Sequence, residues 1–321
     1  MSEFQIIEKY FQKLARDASA NSLQDDVAQF ALKASEQLVV SKDVFSQNFH
    51  FLIKDGGYKL AQKLMRTNLS DLAAAGATPL YYMLGFGKSK EIDKKFISDF
   101  CKGLEDIQKE FNLSLIGGDT VNAKESFFSV TIFGKIKKGK NLARFNAKQN
   151  QLIFVSGNIG DACLGLEIRL NKSEKEFTKK EKNYFLNRHF QPTPRLNLGQ
   201  YLIENGLSNC AIDISDGLLS DLNHICKNSN LSAEIYLDEI PFSQKNLTKT
   251  EKLKLISAGD DYELIFTVDC KNQKKIILAA KKLNLKLTCI GILQKKSKET
   301  LILLDETYQK IKLTKLGYEH S

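Results

Sequence analysis

The sequence contains no tryptophan, only four prolines and only three methionines among its 321 residues. It also lacks an apolar run of about 18 residues, the length at which a membrane-spanning helix becomes possible. Its beginning is acidic and amphipathic, without the basic and apolar regions of a signal peptide. These absences predict a cytoplasmic protein with no transmembrane segment.

No two cysteines have the CxxC spacing of a redox motif or a zinc ribbon. Most of them lie among apolar residues, so buried and reduced thiols are the simplest interpretation, and these fit a reducing compartment. The six cysteines are Cys101, Cys163, Cys210, Cys226, Cys270 and Cys289.

The chain also lacks a P-loop and any nucleic-acid-binding signature, although its net charge is +9. Its lysine-rich stretches, such as 172–182, alternate lysines with glutamates and have few interleaved aromatic residues. A solvated lysine-rich surface is therefore the simpler interpretation, and a membrane or nucleic-acid role is the weaker alternative. A basic balance also suits anionic substrates.

What is present predicts two α+β domains, because 321 residues with 42% hydrophobic content can form two cores. We place the domains at 1–145 and 146–321, with a polar, basic junction near 137–150. Helices are predicted over 4–15, 58–76, 92–111 and 272–283, and from about 160 and 217. Strands are predicted within 37–53 and over 113–117, 127–136, 151–156, 211–215, 262–268, 287–293 and 300–304. Residues 171–195 are predicted to be a connecting segment.

Aspartates stand at the ends of several apolar runs or in glycine-containing segments. The strongest local motif is DISDGLL at 213–219, where a predicted strand enters a helix. Asp213, Ser215 and Asp216 would meet there at a helix N-terminus whose first amides face outward, a favourable place for a metal-bound phosphate. The alternative is an ordinary helix cap, which leaves Asp213 unexplained.

Two further motifs carry acidic residues. The segment GGDT at 117–120 follows a predicted strand and is interpreted as a glycine turn, with a plain Asx turn as the alternative. In NLSDLAAAGA at 68–77, Asn68 and Asp71 share one face of a helix. Asp71 is predicted to be buried there, and a buried carboxylate needs a metal, a base or a capping partner.

The order and spacing of the motifs resemble the thiamine-monophosphate kinase family, in the superfamily of aminoimidazole ribonucleotide synthetase and selenophosphate synthetase. The resemblance runs nearly from end to end. It rests on the segments at 3–7, 25–26, 39–43, 50–51, 68–77, 117–120, 188–195, 213–218 and 259–264, with Arg144 and Tyr318 at corresponding single positions.

The resemblance implies a two-domain aminoimidazole ribonucleotide synthetase-like fold, in which the N-terminal domains build a homodimer and ATP binds between the two domains of a chain. It implies ATP-dependent conversion of thiamine phosphate to thiamine diphosphate with several Mg²⁺ ions. The implied ATP contacts are Gly118, Asp119, Arg144 and Ser215, and the implied thiamine phosphate contacts are His50, Asp260 and Tyr318. The implied Mg²⁺ ligands are Asp26, Ser41, Asp43, Asp71, Asp119, Asp213 and Asp216.

The sequence departs from the family pattern mainly near its beginning. Gln24 replaces a glycine, Lys42 replaces a threonine that helps to hold metal, and Asp260 replaces a glutamate. Lys42 either takes the place of one Mg²⁺ ion at a phosphate or extends its charge into solvent. His50 taken alone has the simpler interpretation of a packed histidine beside Phe49 and Phe51.

Other functions remain open at this point. A non-catalytic ATP-binding paralogue and a sister enzyme acting on another phosphate, carboxyl or amide substrate are the alternatives. Selenophosphate synthetase needs a reactive N-terminal cysteine or selenocysteine, whereas the first cysteine here is Cys101, inside a predicted helix. The hydrogenase-maturation relative needs a C-terminal cysteine, and this chain ends in YEHS.

Overall fold

A computed structural model describes residues 3–25, 27–313 and 316–318 of the chain. The chain divides into two compact units. The first comprises residues 1–72 and 77–139, and the second comprises residues 73–76 and 140–321. Within the described residues, every helix is too short or too polar to cross a membrane.

The first unit is a four-stranded sheet with two long helices. Its strands are β1 (Glu36–Ser46), β2 (Thr78–Lys88), β3 (Ser114–Asn122) and β4 (Phe127–Lys137), in the order β1-β4-β2-β3. Its helices are α1 (Glu3–Ile6), which continues as a π-helical and then a 3₁₀ turn to Leu14, α2 (Gly57–Ala75) and α3 (Lys94–Phe111). The last three residues of α2, 73–75, and Gly76 after it group with the second unit.

The two long helices cover one face of this sheet. Phe128 of β4 is buried on that face, with its ring 4.6 Å from the Phe100 ring of α3 and 4.7 Å from the Phe86 ring of β2. The apolar spacing of 92–111 predicted α3, and the Asp93 side chain caps it by accepting from the Phe96 amide. Burial of this aromatic cluster supplies the apolar core of the unit.

Two features of this sheet differ from the sequence predictions. Strand β2 is absent from the sequence prediction, because Thr78 and Pro79 predict only the end of α2; Pro79 instead lies second in the strand. The segment at 117–120 is not a turn, since β3 continues through it to Asn122. A side chain at Gly118 would place its Cβ 2.1 Å from the Leu84 carbonyl oxygen, so glycine permits close pairing with β2.

The second unit is built on a seven-stranded sheet in the order β11-β10-β7-β9-β5-β8-β6. Its elements in chain order are β5 (Leu152–Ser156), α4 (Asp161–Arg169), α5 (Lys179–Phe190), α6 (Leu196–Glu204), β6 (Ala211–Asp213), α7 (Leu218–Asn228), β7 (Leu231–Tyr236), α8 (Lys249–Ile256), β8 (Leu264–Val268), α9 (Gln273–Lys282), β9 (Leu287–Lys295), β10 (Leu301–Leu304) and β11 (Lys310–Ile311).

The prediction of a connecting segment at 171–195 is wrong, because α5 occupies its centre. Thr178 and Glu181 form a capping box that starts this helix. Phe185 and His189 are buried on its inner face, and the Phe185 ring lies 5.1 Å from that of Phe177. The many exposed lysines of the segment conceal this short apolar stripe. Helices α6 and α8 and strands β7 and β11 were also not predicted.

Candidate active site

Helix α2 and strand β1 present polar groups to each other at two neighbouring levels. The Ser41 hydroxyl donates to Asp71 Oδ2 at 2.5 Å, and the Thr67 hydroxyl donates to Asp43 Oδ2 at 3.1 Å. Along α2 the four residues from Thr67 to Asp71 rise about 6 Å, and along β1 the two residues from Ser41 to Asp43 rise about 6.8 Å. These distances are similar, so both hydrogen bonds can form between the helix and the strand. The predicted ligands Ser41, Asp43 and Asp71 therefore lie on the helix-covered side of the sheet, and Asp71 is half-buried.

Asp43 has a perturbed carboxyl group. Burial raises its pKa, while the Thr67 hydroxyl and His50 act in the opposite direction. His50 lies at the end of the turn after β1, with its ring stacked 5.2 Å from that of Phe45. Its Nδ1 accepts from the Ser46 amide at 3.2 Å, which leaves Nε2 for the proton of the neutral ring.

Asp119 lies on the other face of the same sheet. Across the sheet, Asp119 of β3 pairs with Gly85 of β2, Gly85 pairs with Ser129 of β4, and Ser129 pairs with Val44 of β1. Asp43, the neighbour of Val44, pairs instead with the buried Val130. Aligned residues point to the same side and neighbours along a strand point to opposite sides, so Asp119 and Asp43 face apart. Lys42 shares with Asp119 the face that the two long helices leave uncovered, called the uncovered face below.

The structure does not gather the predicted first-unit ligands into one cluster. In the described part of the chain, no three His, Cys, Asp or Glu side chains lie close enough together to hold a metal ion. Asp26, a further predicted ligand, lies outside the described residues. Gly118 is exposed in β3.

In the second unit, the turn after β6 collects the predicted site residues. The Asp260 amide donates to the Ser215 carbonyl at 2.9 Å, and the Tyr318 amide donates to the Asp216 carbonyl at 2.8 Å. Asp213 is buried at the end of β6, and Ser215 and Asp216 are half-buried. The second unit thus brings together Asp213, Ser215, Asp216, Asp260 and Tyr318.

Backbone geometry marks the segment that faces this turn. Asp260 and Tyr262 both have positive φ, at 73° and 52°, a conformation that is uncommon for residues other than glycine. Strain of this kind concentrates at functional sites. The Tyr262 hydroxyl donates to Asp260 Oδ1 at 3.2 Å, and His189 Nδ1 lies 3.7 Å from Asp260 Oδ2.

One expectation about the turn is wrong. The amides of Ser215, Asp216 and Gly217 do not face outward, because all three donate to Oδ2 of Asp221. Burial, and after it the charge of Asp216, raises the pKa of Asp221 to about 7. Sequence reasoning missed Asp221, although a carboxylate in the first turn of a helix is a recognisable capping signal.

A second buried cluster was also missed, in the segments at 188–195 and 259–264. Glu263 is 1% exposed and bonds to Arg188 at 2.8 Å and to Arg195 at 2.5 Å. Burial opposes its ionisation, but the Arg195 guanidinium, followed by that of Arg188, holds the pKa of Glu263 below its usual range. Neighbouring Asp261 is fully buried and accepts from the Gly160 and Ala162 amides.

Tyr318 borders a cavity of about 540 Å³ in the second unit, which is also lined by Leu253, Lys254, Ser257, Ala258 and Lys312. Tyr318 is 56% exposed. Arg144 is exposed in the loop before β5, where its carbonyl accepts from the Ser229 hydroxyl at 3.4 Å.

The donor set fits a hard divalent cation. Carboxylates and hydroxyls are the oxygen ligands that Mg²⁺ prefers, and they occur in both units, as Ser41, Asp43 and Asp71 and as Asp213, Ser215 and Asp216.

Family comparison agrees with this geometry. The N-terminal domain model of AIR synthase related proteins matches residues 24–136, and the C-terminal domain model matches residues 148–304. The fold and the site therefore define a member of the AIR synthase related proteins, and the mixed two-domain architecture predicted from the sequence is confirmed.

Similarity to individual proteins identifies one family within this class. The chain is 39% identical over 303 residues to thiamine-monophosphate kinase of Haemophilus influenzae, covering 92% of this chain and 90% of the relative. It is 36% identical over 295 residues to the enzyme of the same name from Escherichia coli K12, covering 90% and 89%. The chain belongs to the thiamine-monophosphate kinase family, and it is an enzyme of the kinase class.

Solved structures support the same assignment. The crystal structure of thiamine-monophosphate kinase from Stenotrophomonas maltophilia K279a matches with a TM-score of 0.83 and 32% identity, covering 94% of this chain and 96% of that one. The structure of AaThiL complexed with AMPPCP and TMP matches with a TM-score of 0.77 at 23% identity, covering 99% and 97%, which shows the shared fold.

Proposed function

We propose that this chain transfers the terminal phosphoryl group of ATP directly to the phosphate of thiamine phosphate, which yields thiamine diphosphate and ADP. The observation that carries the proposal is the turn after β6. It presents Asp213, Ser215 and Asp216 beside Asp260 and Tyr318, in a chain that is 39% identical to a thiamine-monophosphate kinase.

The chemistry needs no general base from the protein. The attacking atom is a phosphate oxygen, and the second pKa of a phosphate monoester is about 6, so it is already ionised at neutral pH. The protein must hold two polyanions in line and offset their charge, which is a task of positioning and electrostatics. Mg²⁺ held by the carboxylates named below would supply the positive charge.

Each unit contributes residues to this proposal. In the first unit, Ser41, Asp43, Asp71 and Asp119, with Asp26, would hold Mg²⁺, and His50 would contact thiamine phosphate. In the second unit, Asp213 and Asp216 would hold Mg²⁺, and the Ser215 hydroxyl and Arg144 would contact the nucleotide. Gly118 and Asp119 are the proposed nucleotide contacts of the first unit. Asp260 and the exposed Tyr318 ring would contact thiamine, whose cationic ring suits a carboxylate and an aromatic face.

A selenophosphate synthetase activity is disfavoured by the first cysteine of the chain. Cys101 is buried in α3, and burial raises its pKa to about 12, so its reactive thiolate form is scarce at neutral pH. All six cysteines are free thiols, which supports the proposal of a reducing, cytoplasmic setting.

The proposal is tested by ADP release over a panel of phosphate monoesters. Thiamine phosphate should drive ADP release in the presence of Mg²⁺, with thiamine diphosphate as the co-product. Thiamine and simple sugar phosphates should not. A folded protein that binds ATP but releases no ADP with thiamine phosphate would be a non-catalytic paralogue, and this outcome would refute the kinase assignment.

We also propose that the enzyme is a homodimer that uses the uncovered face of the four-stranded sheet. That face exposes Val40 by 52%, Val44 by 49%, Val121 by 44% and Met83 by 39%. Four large apolar side chains exposed on one face of the sheet support a protein interface there. Light scattering should give twice the mass of 36.2 kDa, and Val44→Glu should give the monomer mass. A wild-type monomer would refute the dimer.

A further inference from the structure

Asp221 organises the turn between β6 and α7. Its Oδ2 accepts from the amides of Ser215 and Asp216, both at 3.1 Å, and of Gly217 at 3.2 Å. Asp221 is only 2% exposed. A single buried oxygen thus orients three consecutive peptide planes, which carry the side chains of Ser215 and Asp216.

The carbonyl groups of the same turn are also occupied. The Ile214 carbonyl accepts from the Tyr262 amide at 2.8 Å, and the Gly217 carbonyl accepts from the Asp221 amide at 3.0 Å. The Ser215 and Asp216 carbonyls accept from the amides of Asp260 and Tyr318. Rotation of the backbone between Ile214 and Gly217 would therefore break at least one of these hydrogen bonds.

Consecutive amides that converge at a helix N-terminus are the usual means by which a protein binds phosphate through its backbone. Here the anion at that position belongs to the chain itself. With Asp221 in place, the amides of Ser215, Asp216 and Gly217 are not available to a nucleotide. What the turn offers to a ligand is the carboxylates of Asp213 and Asp216 and the Ser215 hydroxyl, a set that attracts cations.

We propose that Asp221 is a positioning residue that makes this turn accept phosphate only together with a divalent cation. It does so by fixing the side chains of Ser215 and Asp216 and by closing the backbone amides against free anions. The proposal rests on the proposed function, because it assumes that the turn binds a nucleotide.

The test compares Asp221→Asn with Asp161→Asn. The first variant keeps the shape of the side chain and can still accept with its amide oxygen, but it removes the carboxylate charge that the three amides face. Asp161 is a matched control, because it is 1% exposed, begins α4 in the same unit and accepts from the Tyr184 hydroxyl at 2.6 Å without bonding to the turn. Both variants should lower the melting temperature.

Only Asp221→Asn should change how binding depends on metal. Calorimetric titration with AMPPCP, which cannot transfer its terminal phosphate, should show Mg²⁺-dependent binding to the wild type and none without metal. In Asp221→Asn the Mg²⁺ concentration for half-maximal binding should rise by about tenfold, close to one lost charge-assisted contact, and KM for ATP should rise more than kcat falls. Asp161→Asn should keep the wild-type Mg²⁺ dependence.

If Asp221→Asn does not fold, Asp221→Glu decides, since it keeps the charge but displaces the turn by one methylene; its half-maximal Mg²⁺ concentration should rise as well. An unchanged Mg²⁺ dependence in the folded Asp221 variant, or an equal shift in Asp161→Asn, overturns the positioning role. So does AMPPCP binding to the wild type without metal. Absence of ADP release in a wild type that binds AMPPCP with Mg²⁺ would instead refute the proposed function alone.

Discussion

The ammonium group of Lys42 donates to the Ser129 hydroxyl at 2.6 Å and to the Thr131 hydroxyl at 3.4 Å. Both hydroxyls belong to the neighbouring strand β4, so the charge is held against the uncovered face of the sheet. Across the sheet, Ser129 of β4 pairs with Gly85 of β2, and Gly85 pairs with Asp119 of β3. Two strand spacings of about 4.8 Å separate Ser129 from Asp119, and the glycine between them has no side chain.

This arrangement leads to a prediction for Lys42. We expect Lys42→Thr to retain activity but to depend more steeply on Mg²⁺, because the ammonium then no longer supplies one of the positive charges near Asp119. The measurements are ADP release against Mg²⁺ concentration and the metal content of the protein with bound nucleotide. Lys137→Thr is the control, because it removes an exposed lysine at the end of β4, the strand that neighbours β1. Identical Mg²⁺ dependence and metal content in Lys42→Thr and wild type would show that the lysine charge simply faces solvent.

Asp216→Asn should nearly abolish activity without unfolding the protein. The carboxylate is half-buried, and the turn is held through backbone groups that the substitution leaves in place. Loss of one preorganised electrostatic contact costs about 10²-fold in rate. Turnover near the wild-type rate in the folded variant at saturating Mg²⁺ would contradict the assignment.

Asp71→Asn should lower activity and raise the Mg²⁺ requirement. Its hydrogen bond from the Ser41 hydroxyl can be kept by the amide oxygen, so the loss reports the missing charge. Ser41→Ala is the matched comparison, because it removes the hydroxyl and keeps the carboxylate. An unchanged Mg²⁺ titration in Asp71→Asn would count against Asp71 as a metal ligand.

The cysteines should be dispensable for the chemistry, because the phosphoryl group passes between oxygens without a thiolate intermediate. Burial raises the pKa of Cys163, Cys210 and Cys226 to about 12, as it does for Cys101. Single serine variants of all six cysteines should keep kcat within about twofold wherever they fold. Loss of activity in a folded variant, or a phosphorylated enzyme trapped with labelled ATP, would refute direct transfer.

Asp261 should contribute more to the free energy of unfolding at acidic pH than at neutral pH, which is the opposite of the usual effect of an aspartate. Burial raises its pKa to about 8, against about 3.9 in an unfolded chain. The folded state therefore holds a proton that the unfolded state releases, so this contribution to stability is present below about pH 4 and is lost as the pH rises to about 8, with a slope of up to about 1.4 kcal/mol per pH unit.

Asp261→Asn should remove that slope, measured as the difference in unfolding free energy between wild type and variant from pH 4 to pH 8. Asp305→Asn is the control, since the Thr307 hydroxyl and then Lys249 hold the pKa of Asp305 below its usual range. The contribution of Asp305 to stability is lost only as the pH falls below about 4. The difference in unfolding free energy between wild type and Asp305→Asn should therefore be constant from pH 4 to pH 8. A flat difference for Asp261→Asn would show that its carboxyl is ionised in the folded protein.

Local pattern was sufficient for several elements and for the residues of the turn at 213–217. The spacing of Phe96, Phe100, Leu104 and Ile107 defines α3 because a helix repeats every 3.6 residues. Helix α5 was missed because its buried stripe is short and lies among lysines. Strand β2 was missed because Pro79 suggested a break.

The sequence by itself determined the family and the absence of a P-loop, and it predicts an oxygen-rich set of site residues, because motif order and residue chemistry are local properties of the chain. Only the tertiary structure decided that Asp119 and Lys42 lie on one face of the sheet and Asp43 on the other, since this depends on β3 continuing through Gly118 in register with β2. Only the tertiary structure showed that Asp221 accepts hydrogen bonds from the backbone amides of the turn. A capping signal in sequence does not tell whether a helix N-terminus is open to a ligand or already filled by the chain's own carboxylate.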